Sequence, residues 1–490
     1  MDIALLVASC TARAPAGNTS QQQRLYQALR EALLSGTLVT GTRLPASRVL
    51  AQELGIARNS VLYAYERLSD EGFTLSDRQG TRVAPLGLGL GQGETGPSPA
   101  LASRAAREGP SAVPIAKCLA PGIPALAAFP LARWHAFMNR AWRRIVPADL
   151  DTLSLQGHGP LREVIAQYLR VARGVRCSPQ RVFITDGTRT SLDICIRVLT
   201  QPADGVWFEN PGYDGARAAF SAANLRLLPV PVDAQGMAPD AALPLAVPRL
   251  IYVTPSHQYP LGPVMSIERR MTLLQHARRH GAYLIEDDYD SEFRYRGAPI
   301  PALQGLVEDA PVIYVGTFSK TLFPGLRIGF MVVPADLAER TAQALTELGR
   351  HGRLAEQMAL ADFIHSGAYG RHLRRMKRLY DARRVALTDA LERRLHGVLR
   401  LAGEPGGMHL IVLLQVPLVD TELAARALDE HLELSPLSSH YQTPWEGTAP
   451  LNGLVLGYAN LPEDQADAAV AALARIIVLC LQQLHGIPRL

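Results

Sequence analysis

Three stretches near the start of the chain repeat apolar residues at helical spacing. In QQQRLYQALREALLSG, Leu25, Ala28, Leu29, Ala32 and Leu33 fall on one face, and Gly36 suits the stop. In ASRVLAQELG, Val49, Leu50 and Leu54 share a face that ends at Gly55. In RNSVLYAYERLSDEG the face is Val61, Ala64, Tyr65 and Leu68, ending at Gly72. Only Gly55-Ile56-Ala57 separates the second helix from the third, the tight turn of a helix-turn-helix. The short runs FTLS and TRVA then flank Asp77-Arg78-Gln79-Gly80, a hairpin with a glycine at its tip. The pattern predicts a winged helix-turn-helix over residues 1–83.

The pattern changes at residues 84–114, APLGLGLGQGETGPSPALASRAAREGPSAVP, where Gly, Pro, Ser and Ala dominate without a sustained period. Such a composition predicts a flexible linker. Residues 115–490 alternate short apolar runs (RVFIT, GVWF, RLIYVT, AYLI, VIYVG, GFMVV) with helical stretches. Apolar runs of that kind are strands buried on both faces, so the second segment is an α/β domain with a mostly parallel sheet covered by helices. In that architecture ligands gather at the carboxyl ends of the strands, and the polar residues there carry the chemistry.

Composition narrows the picture. A chain of 490 residues has room for one large and one small domain, and 48% hydrophobic with 19% charged residues excludes wholesale disorder. Five cysteines without a CxxC pair argue against a zinc ribbon or a disulfide framework and for a reducing cytoplasm. The start, MDIALLVASC, loosely resembles a lipoprotein cleavage site at Ala8-Ser9-Cys10, but lacks a basic region before a short apolar run, and reads instead as an edge strand. No run approaches 18 uninterrupted apolar residues, so no membrane span is expected. A net charge of +5 is too mild to establish a nucleic-acid partner. The lysines say more: Lys117, Lys320 and Lys377 are the only three among 50 Lys+Arg. Arginine stays protonated in proteins, whereas lysine can lose its proton and form a Schiff base.

The third helix begins Arg58-Asn59-Ser60. A recognition helix presents its first residues to base edges, where Arg bridges two acceptors of guanine and Asn pairs with adenine. Arg48 on the second helix, with Arg78 and Arg82 on the wing, are candidates for phosphate contacts. A protein-binding module with ordinary surface arginines is the bland alternative. The stretch GTRLPASRVLAQELGIARNSVLYAYERLSDEGF resembles the DNA-binding domain of the GntR family of bacterial regulators. That resemblance implies double-stranded operator DNA as a partner, with Arg48, Arg58, Asn59, Ser60 and the wing-tip Gly80 at the DNA.

In the large segment Lys320 lies in VIYVGTFSKTLFPGLRIGF, just after an apolar run, a place suited to an aldehyde cofactor. Arg327 follows seven residues on and is a candidate phosphate clamp, with Thr317 and Ser319 offering hydroxyls. The run AYLIEDDYDSEFRY ends in Glu286, Asp287, Asp288 and Asp290, interrupted by Tyr289. Such acids can hold Mg²⁺, or one can pair with a protonated pyridine nitrogen while Tyr289 bonds the ring's oxygen. Capping the next element is the bland role for Asp288 and Asp290. Gly187-Thr188 between a strand and a helix can cradle a phosphate, and Tyr213 on a turn can stack on a ring.

Together with TPSHQYPLG, PALQ, RRMKRLYDARR and LGYA, these motifs resemble fold-type I pyridoxal 5'-phosphate (PLP) enzymes of the aminotransferase class. With a GntR domain in front, the chain resembles the MocR/GabR family of bacterial regulators. The resemblance implies an aminotransferase-like domain with a smaller C-terminal subdomain and PLP carried covalently by Lys320. It puts Asp287 at the pyridine nitrogen, Tyr289 at the ring oxygen, Tyr213 stacked on the ring, and Arg327, Gly187 and Thr188 at the phosphate. It also implies a domain-swapped homodimer.

The sequence departs from working aminotransferases in more than one place. Their substrate-carboxylate arginine stands in a pattern like RLSFA, and the matching stretch here is VLGYA, with Val455 in the arginine's position. His257 and Gln258 occupy the region of the asparagine that touches the ring oxygen, and Arg217 is a substitute anion clamp. The missing arginine resembles the branch that senses PLP itself and controls vitamin B6 metabolism. The expected function is therefore a cytoplasmic PLP-dependent regulator with PLP or a small amine as effector. The alternative is an active aminotransferase that carries a DNA-binding module. The basic stretch at residues 374–384, which holds Lys377, reads as a solvated helix face, with DNA contact as the sharper reading. Lys117 has no assigned role.

Overall fold

The computed structural model describes residues 20–77, 80–85, 118–151, 154–242, 246–348, 352–403, 406–442 and 449–484. The N-terminal MDIALLVASC segment, wing-tip Arg78, nearly all of the proposed linker and Lys117 lie outside these residues. The chain divides into two compact units, Met1–Ser111 and Ala112–Leu490.

In the first unit, α1 (Gln21–Leu34), α2 (Ser47–Leu54) and α3 (Arg58–Asp70) precede the antiparallel pair β1 (Thr74–Asp77) and β2 (Gly80–Val83). The apolar face of α1 buries as the spacing predicts, with Tyr26 added, and so does that of α3. Burying each such Leu or Val contributes roughly 1.5–3 kcal/mol. Val49 departs from expectation: it is exposed, and α2 buries Leu50 and Ala51 instead. In so short a helix the neighbour of a buried position turns about 100° away, and Val49 takes the outer side. Gly55, in the left-handed conformation, ends α2. The Tyr65 hydroxyl donates to Pro45 O at 2.9 Å, tying α3 to the segment before α2.

The second unit opens with α4 (Leu131–Arg144) and α5 (Gly159–Arg173). Then follow β3 (Val182–Thr185), α6 (Thr188–Leu199), β4 (Gly205–Asn210), α7 (Asp214–Ala222), β5 (Arg226–Asp233), β6 (Gly236–Met237), β7 (Leu250–Val253), α8 (Ile267–His280), β8 (Tyr283–Asp288), β9 (Val312–Thr317) and β10 (Gly329–Val332). They form an eight-stranded sheet in the order β3-β10-β9-β8-β7-β4-β5-β6. β9, β8, β7, β4 and β5 pair in parallel, while β10 runs antiparallel to β3 and β9. β3, β4 and β7 are buried at every position, as expected of strands covered on both faces. β5 carries Pro229 and Pro231 and was not legible as a strand; it lies next to the sheet's edge, where missing N–H groups are tolerated. The connections after β3, β4, β7, β8 and β9 leave the sheet at one rim.

The remainder comprises α9 (Ala338–Leu348), α10 (Leu354–His365), the long α11 (Ala368–Leu395), β11 (Leu399–Ala402), β12 (His409–Leu414), α12 (Asp420–Asp429), β13 (Ser435–Pro436), β14 (Gly453–Gly457) and α13 (Ala466–Leu484). A four-stranded antiparallel sheet, β11-β12-β14-β13, packs with α11 and α13 around its own core, the smaller subdomain. By length and composition α13 is apolar enough to cross a membrane. One face of it, Val470, Leu473, Ile476, Ile477 and Cys480, is buried in that core beside Leu387 and Leu391 of α11, while Val478, Leu479 and Leu484 are exposed.

Candidate functional site

On the first unit the residues read as DNA contacts lie at two helix starts and the wing. Arg48 is the second residue of α2, and Arg58, Asn59 and Ser60 open α3. Arg48, Arg58 and Asn59 are exposed, and Ser60 is half-buried. Arg58 Nε donates to Ser47 Oγ at 3.4 Å, linking the starts of α2 and α3. Gly80 begins β2, and a Cβ there would meet the Arg43 side chain at 3.2 Å. Arg43 and Arg82 are joined by an isolated bridge, so the wing's base is basic. Backbone N–H groups at a helix start add to this an affinity for phosphate.

In the second unit a cavity of about 170 Å3 opens where the strands end. Of the residues singled out in the sequence, Thr188, Tyr213, Asp287, Tyr289, Thr317 and Lys320 line it. Lys320 Nζ donates to Gly122 O at 2.7 Å. Gly122 has φ +73° and a Cβ there would sit 2.6 Å from that nitrogen, so only glycine leaves the amine its place. Burial lowers the Lys320 pKa, against the pull of Asp290 and Asp287. Burial pushes Asp287 up to about 7; Asp288 adds to the rise, and the hydrogen bond from Tyr252 and the charge of Lys320 oppose it. Both groups thus move toward their neutral forms, and a neutral amine is the nucleophile that carbonyl chemistry needs.

The four acids at the end of β8 have separate partners. Glu286 accepts the backbone N–H groups of Leu303 and Gln304 at 2.8 and 2.9 Å. Asp287 Oδ2 accepts from the Tyr252 hydroxyl at 2.6 Å, and its Oδ1 is buried without a hydrogen-bond partner. Asp288 pairs with buried Arg173 at 2.8 Å and accepts from Tyr314. Asp290 faces His257. The expected capping role is therefore corrected: Glu286 caps a turn, whereas Asp288 and Asp290 hold side chains from distant elements. No group of three or more His, Cys, Asp or Glu placed to hold a metal ion occurs among the described residues.

Other expectations fare unevenly. Gly187 caps the start of α6 with φ +106°. Ser319 offers its backbone N–H to Thr317 Oγ1 at 3.1 Å. His257 stands outside the Lys320 cavity and lines two neighbouring ones, with its Nδ1 3.1 Å from the Tyr289 hydroxyl. Arg327 has an exposed side chain and lines another cavity with Thr185, Asp186, Thr190 and Arg353; it is not among the residues lining the Lys320 cavity. Arg217 is committed elsewhere, donating to Tyr441 O and Ser439 O at 3.0 Å and pairing with Asp214. Val455 is fully buried on β14 against Ile411, Leu413 and Leu437, an apolar setting. Sequence reasoning missed Tyr252, Tyr259, His409 and Gly122, which also line the cavity. Tyr259 meets Tyr213 and Tyr289 edge-on, both at 5.8 Å between ring centres, so three tyrosines wall one side.

The site fits a phosphorylated pyridine aldehyde on its own features: a buried amine, an unpartnered carboxylate oxygen suited to a ring N–H, aromatic walls, and a helix start at Gly187-Thr188. A winged helix-turn-helix joined to such a sheet defines a DNA-binding regulator with an aminotransferase-like unit. Residues 21–83 match the family described as Bacterial regulatory proteins, gntR family, and residues 146–473 match Aminotransferase class I and II. The chain is 39% identical over 478 residues to the probable rhizopine catabolism regulatory protein MocR of Rhizobium meliloti, covering 95% of each chain. It is 34% identical over 469 residues to the pyridoxine biosynthesis transcriptional regulator PdxR of Corynebacterium glutamicum, covering 94% of this chain and 97% of that one. Among solved structures, α-aminoadipate aminotransferase LysN of Thermus thermophilus, complexed with N-(5'-phosphopyridoxyl)-L-leucine, aligns with TM-score 0.67 and 30% identity. The alignment covers 75% of this chain and 93% of LysN. The chain belongs to the MocR/GabR family of GntR-type transcription regulators.

Proposed function

We propose that this regulator holds PLP at Lys320 and adjusts its binding to double-stranded operator DNA in response to PLP itself or to a small amine. The observation that carries the reading is the buried Lys320 amine in one cavity with Asp287, whose second oxygen lacks a partner. Lys320 holds the cofactor, Asp287 takes its ring nitrogen, Tyr289 its ring oxygen, and Tyr213 stacks on its face. Gly187, Thr188, Thr317 and Ser319 serve the phosphate, and Arg327 joins them by turning its exposed side chain toward α6. His257 acts behind Tyr289. Bound there, the aldehyde offers primary amines a carbon to add to, while the ring draws electrons from the bonds next to that nitrogen. On the DNA side, Arg58 and Asn59 read base edges, while Arg48, Ser60 and Gly80 set the register on phosphates.

The residue ranges proposed are 1–83 for the DNA-binding domain, 84–114 for the linker and 115–490 for the effector domain. The protein works in the cytoplasm as a domain-swapped homodimer. Coupling is a population shift: the effector binds one arrangement of the DNA-binding domains better than another. The names of MocR and PdxR point to different effectors, and the buried apolar place of Val455, where a carboxylate clamp would stand, favours the PdxR-like case of vitamin B6 control. The test is PLP and DNA binding in one preparation. Dialysed protein should keep a visible absorbance band and should shift a fragment from its own upstream region. Protein that keeps neither contradicts the reading.

Lys320 and Asp287 in one cavity also favour a second reading, an active aminotransferase. Steady-state turnover of an amino acid with a keto acid would establish it. Without an arginine at Val455, we expect none with ordinary α-amino acids.

A further inference from the structure

His257, Asp290 and Tyr289 meet at a single nitrogen. His257 Nδ1 lies 3.1 and 3.2 Å from the two oxygens of Asp290, and the Tyr289 hydroxyl lies 3.1 Å from the same Nδ1. The Asp290 side chain is 1% exposed and that of His257 8%. The loop that closes over them is shaped for the pair. Gly407 has φ +64°, and a Cβ there would come within 2.3 Å of both Asp290 Oδ2 and His257 Cε1. Tyr295 and Tyr458 fix this glycine by donating to its carbonyl at 2.6 and 2.7 Å. The site therefore keeps room for a histidine–carboxylate contact that any side chain at position 407 would destroy.

One imidazole nitrogen donates or accepts, never both, and an ionised carboxylate only accepts. Asp290 therefore commits Nδ1 to the role of donor. Tyr289 then cannot give its proton to Nδ1, and its O–H is left for an acceptor in the Lys320 cavity that Tyr289 lines. We infer that Asp290 is a positioning residue: through His257 Nδ1 it aims the Tyr289 hydroxyl at the bound cofactor's ring oxygen. This rests on the PLP reading above. Without the Asp290 carboxylate, Nδ1 becomes a free acceptor and draws the Tyr289 proton away from the ring oxygen. The other charged or titratable groups facing His257 are His409 on β12, which burial holds neutral, Arg384 on α11, Arg173 on α5, and Arg294 and Arg296 in the loop after β8.

The test is the pH titration of the visible absorbance of PLP-loaded protein. A ring oxygen that loses a donor holds its proton more tightly. Asp290→Ala should therefore move the midpoint upward by about half to one pH unit, the size of one lost hydrogen bond. Tyr289→Phe should move it the same way, and Asp290→Ala added to Tyr289→Phe should change nothing further. If Asp290→Ala proves unstable, Asp290→Asn serves, because its carboxamide can donate to Nδ1 and no longer forces it to be a donor. A downward shift overturns the inference, because it marks a direct charge effect on the lysine–cofactor nitrogen. So does an unchanged midpoint, or an equal shift with and without the Tyr289 hydroxyl. Wild-type protein that gains no visible band with PLP contradicts the functional reading itself, and this inference with it.

Discussion

The two units put polar side chains to opposite uses. At the start of α3, Arg58 and Asn59 stand in water and owe their reach to exposure. At the end of β8, Asp287 and Asp288 are buried, and burial makes them specific. An exposed arginine stays charged and works through screened long-range attraction, so DNA binding by this surface weakens steeply with salt. A buried carboxylate has its proton affinity set by its neighbours, so Asp287 responds to pH and to what fills the cavity. One surface is tuned by ionic strength and the other by protonation and ligand, and substitutions can separate them.

The largest separation comes from Lys320→Ala. Reduction with borohydride should attach PLP to the wild-type chain and leave the variant's mass unchanged, while DNA affinity without PLP stays intact. A reducible adduct in the variant would move the attachment site elsewhere. The mirror experiment is Arg58→Ala or Asn59→Ala. Each should weaken operator binding by about 1–3 kcal/mol, roughly 5- to 150-fold, and leave PLP binding untouched. Loss of PLP in these variants would break the division of labour.

Gly122→Ala sharpens the cavity side. The new Cβ would collide with Lys320 Nζ, and a left-handed backbone would strain besides, by about 1–3 kcal/mol. Covalent PLP uptake, read by absorbance, should slow or fall several-fold; full uptake would show that the lysine has room to spare.

The smallest expected effect is on stability. The Asp287 carboxyl titrates at 3.8 when unperturbed and at about 7 when folded, so the folded state binds more protons between those values. Stability of the PLP-free protein therefore falls as pH rises from about 4 to about 7. Asp287→Asn should flatten this fall in part, because buried Glu209, also raised to about 7, remains. The Asp287 share of the Tm change across that window is expected to be about 5 °C for a unit of this size. An identical pH profile for both proteins would place the ionisation elsewhere.

Legibility in the sequence followed distance along the chain. The helix-turn-helix is built from neighbours, and its periodicity exposes nearly all of it; Val49 misled because a helix of two turns has a poorly defined face. Lys320 stood out because lysine is rare here, and the acids stood out because they end an apolar run. Their roles were harder to read. Asp288 looked like a cap until Arg173, 115 residues away, supplied its partner. Tyr252 looked like an ordinary core residue in an apolar strand, yet its hydroxyl holds Asp287. Gly122 and His409 enter the cavity from outside the main sheet, and no local pattern announces them. Arg327 had the right spacing from Lys320, but spacing does not fix where a long exposed side chain rests.

The central claim is that the cavity and the DNA surface are coupled in one chain. The most direct measurement is fluorescence anisotropy of a DNA fragment from the protein's own upstream region, with PLP titrated into PLP-free protein. The account predicts that PLP changes the DNA affinity of wild type by about 5- to 150-fold, the usual range of coupling between sites, and leaves Lys320→Ala unchanged. PLP that binds covalently at Lys320 while DNA affinity stays constant would contradict it.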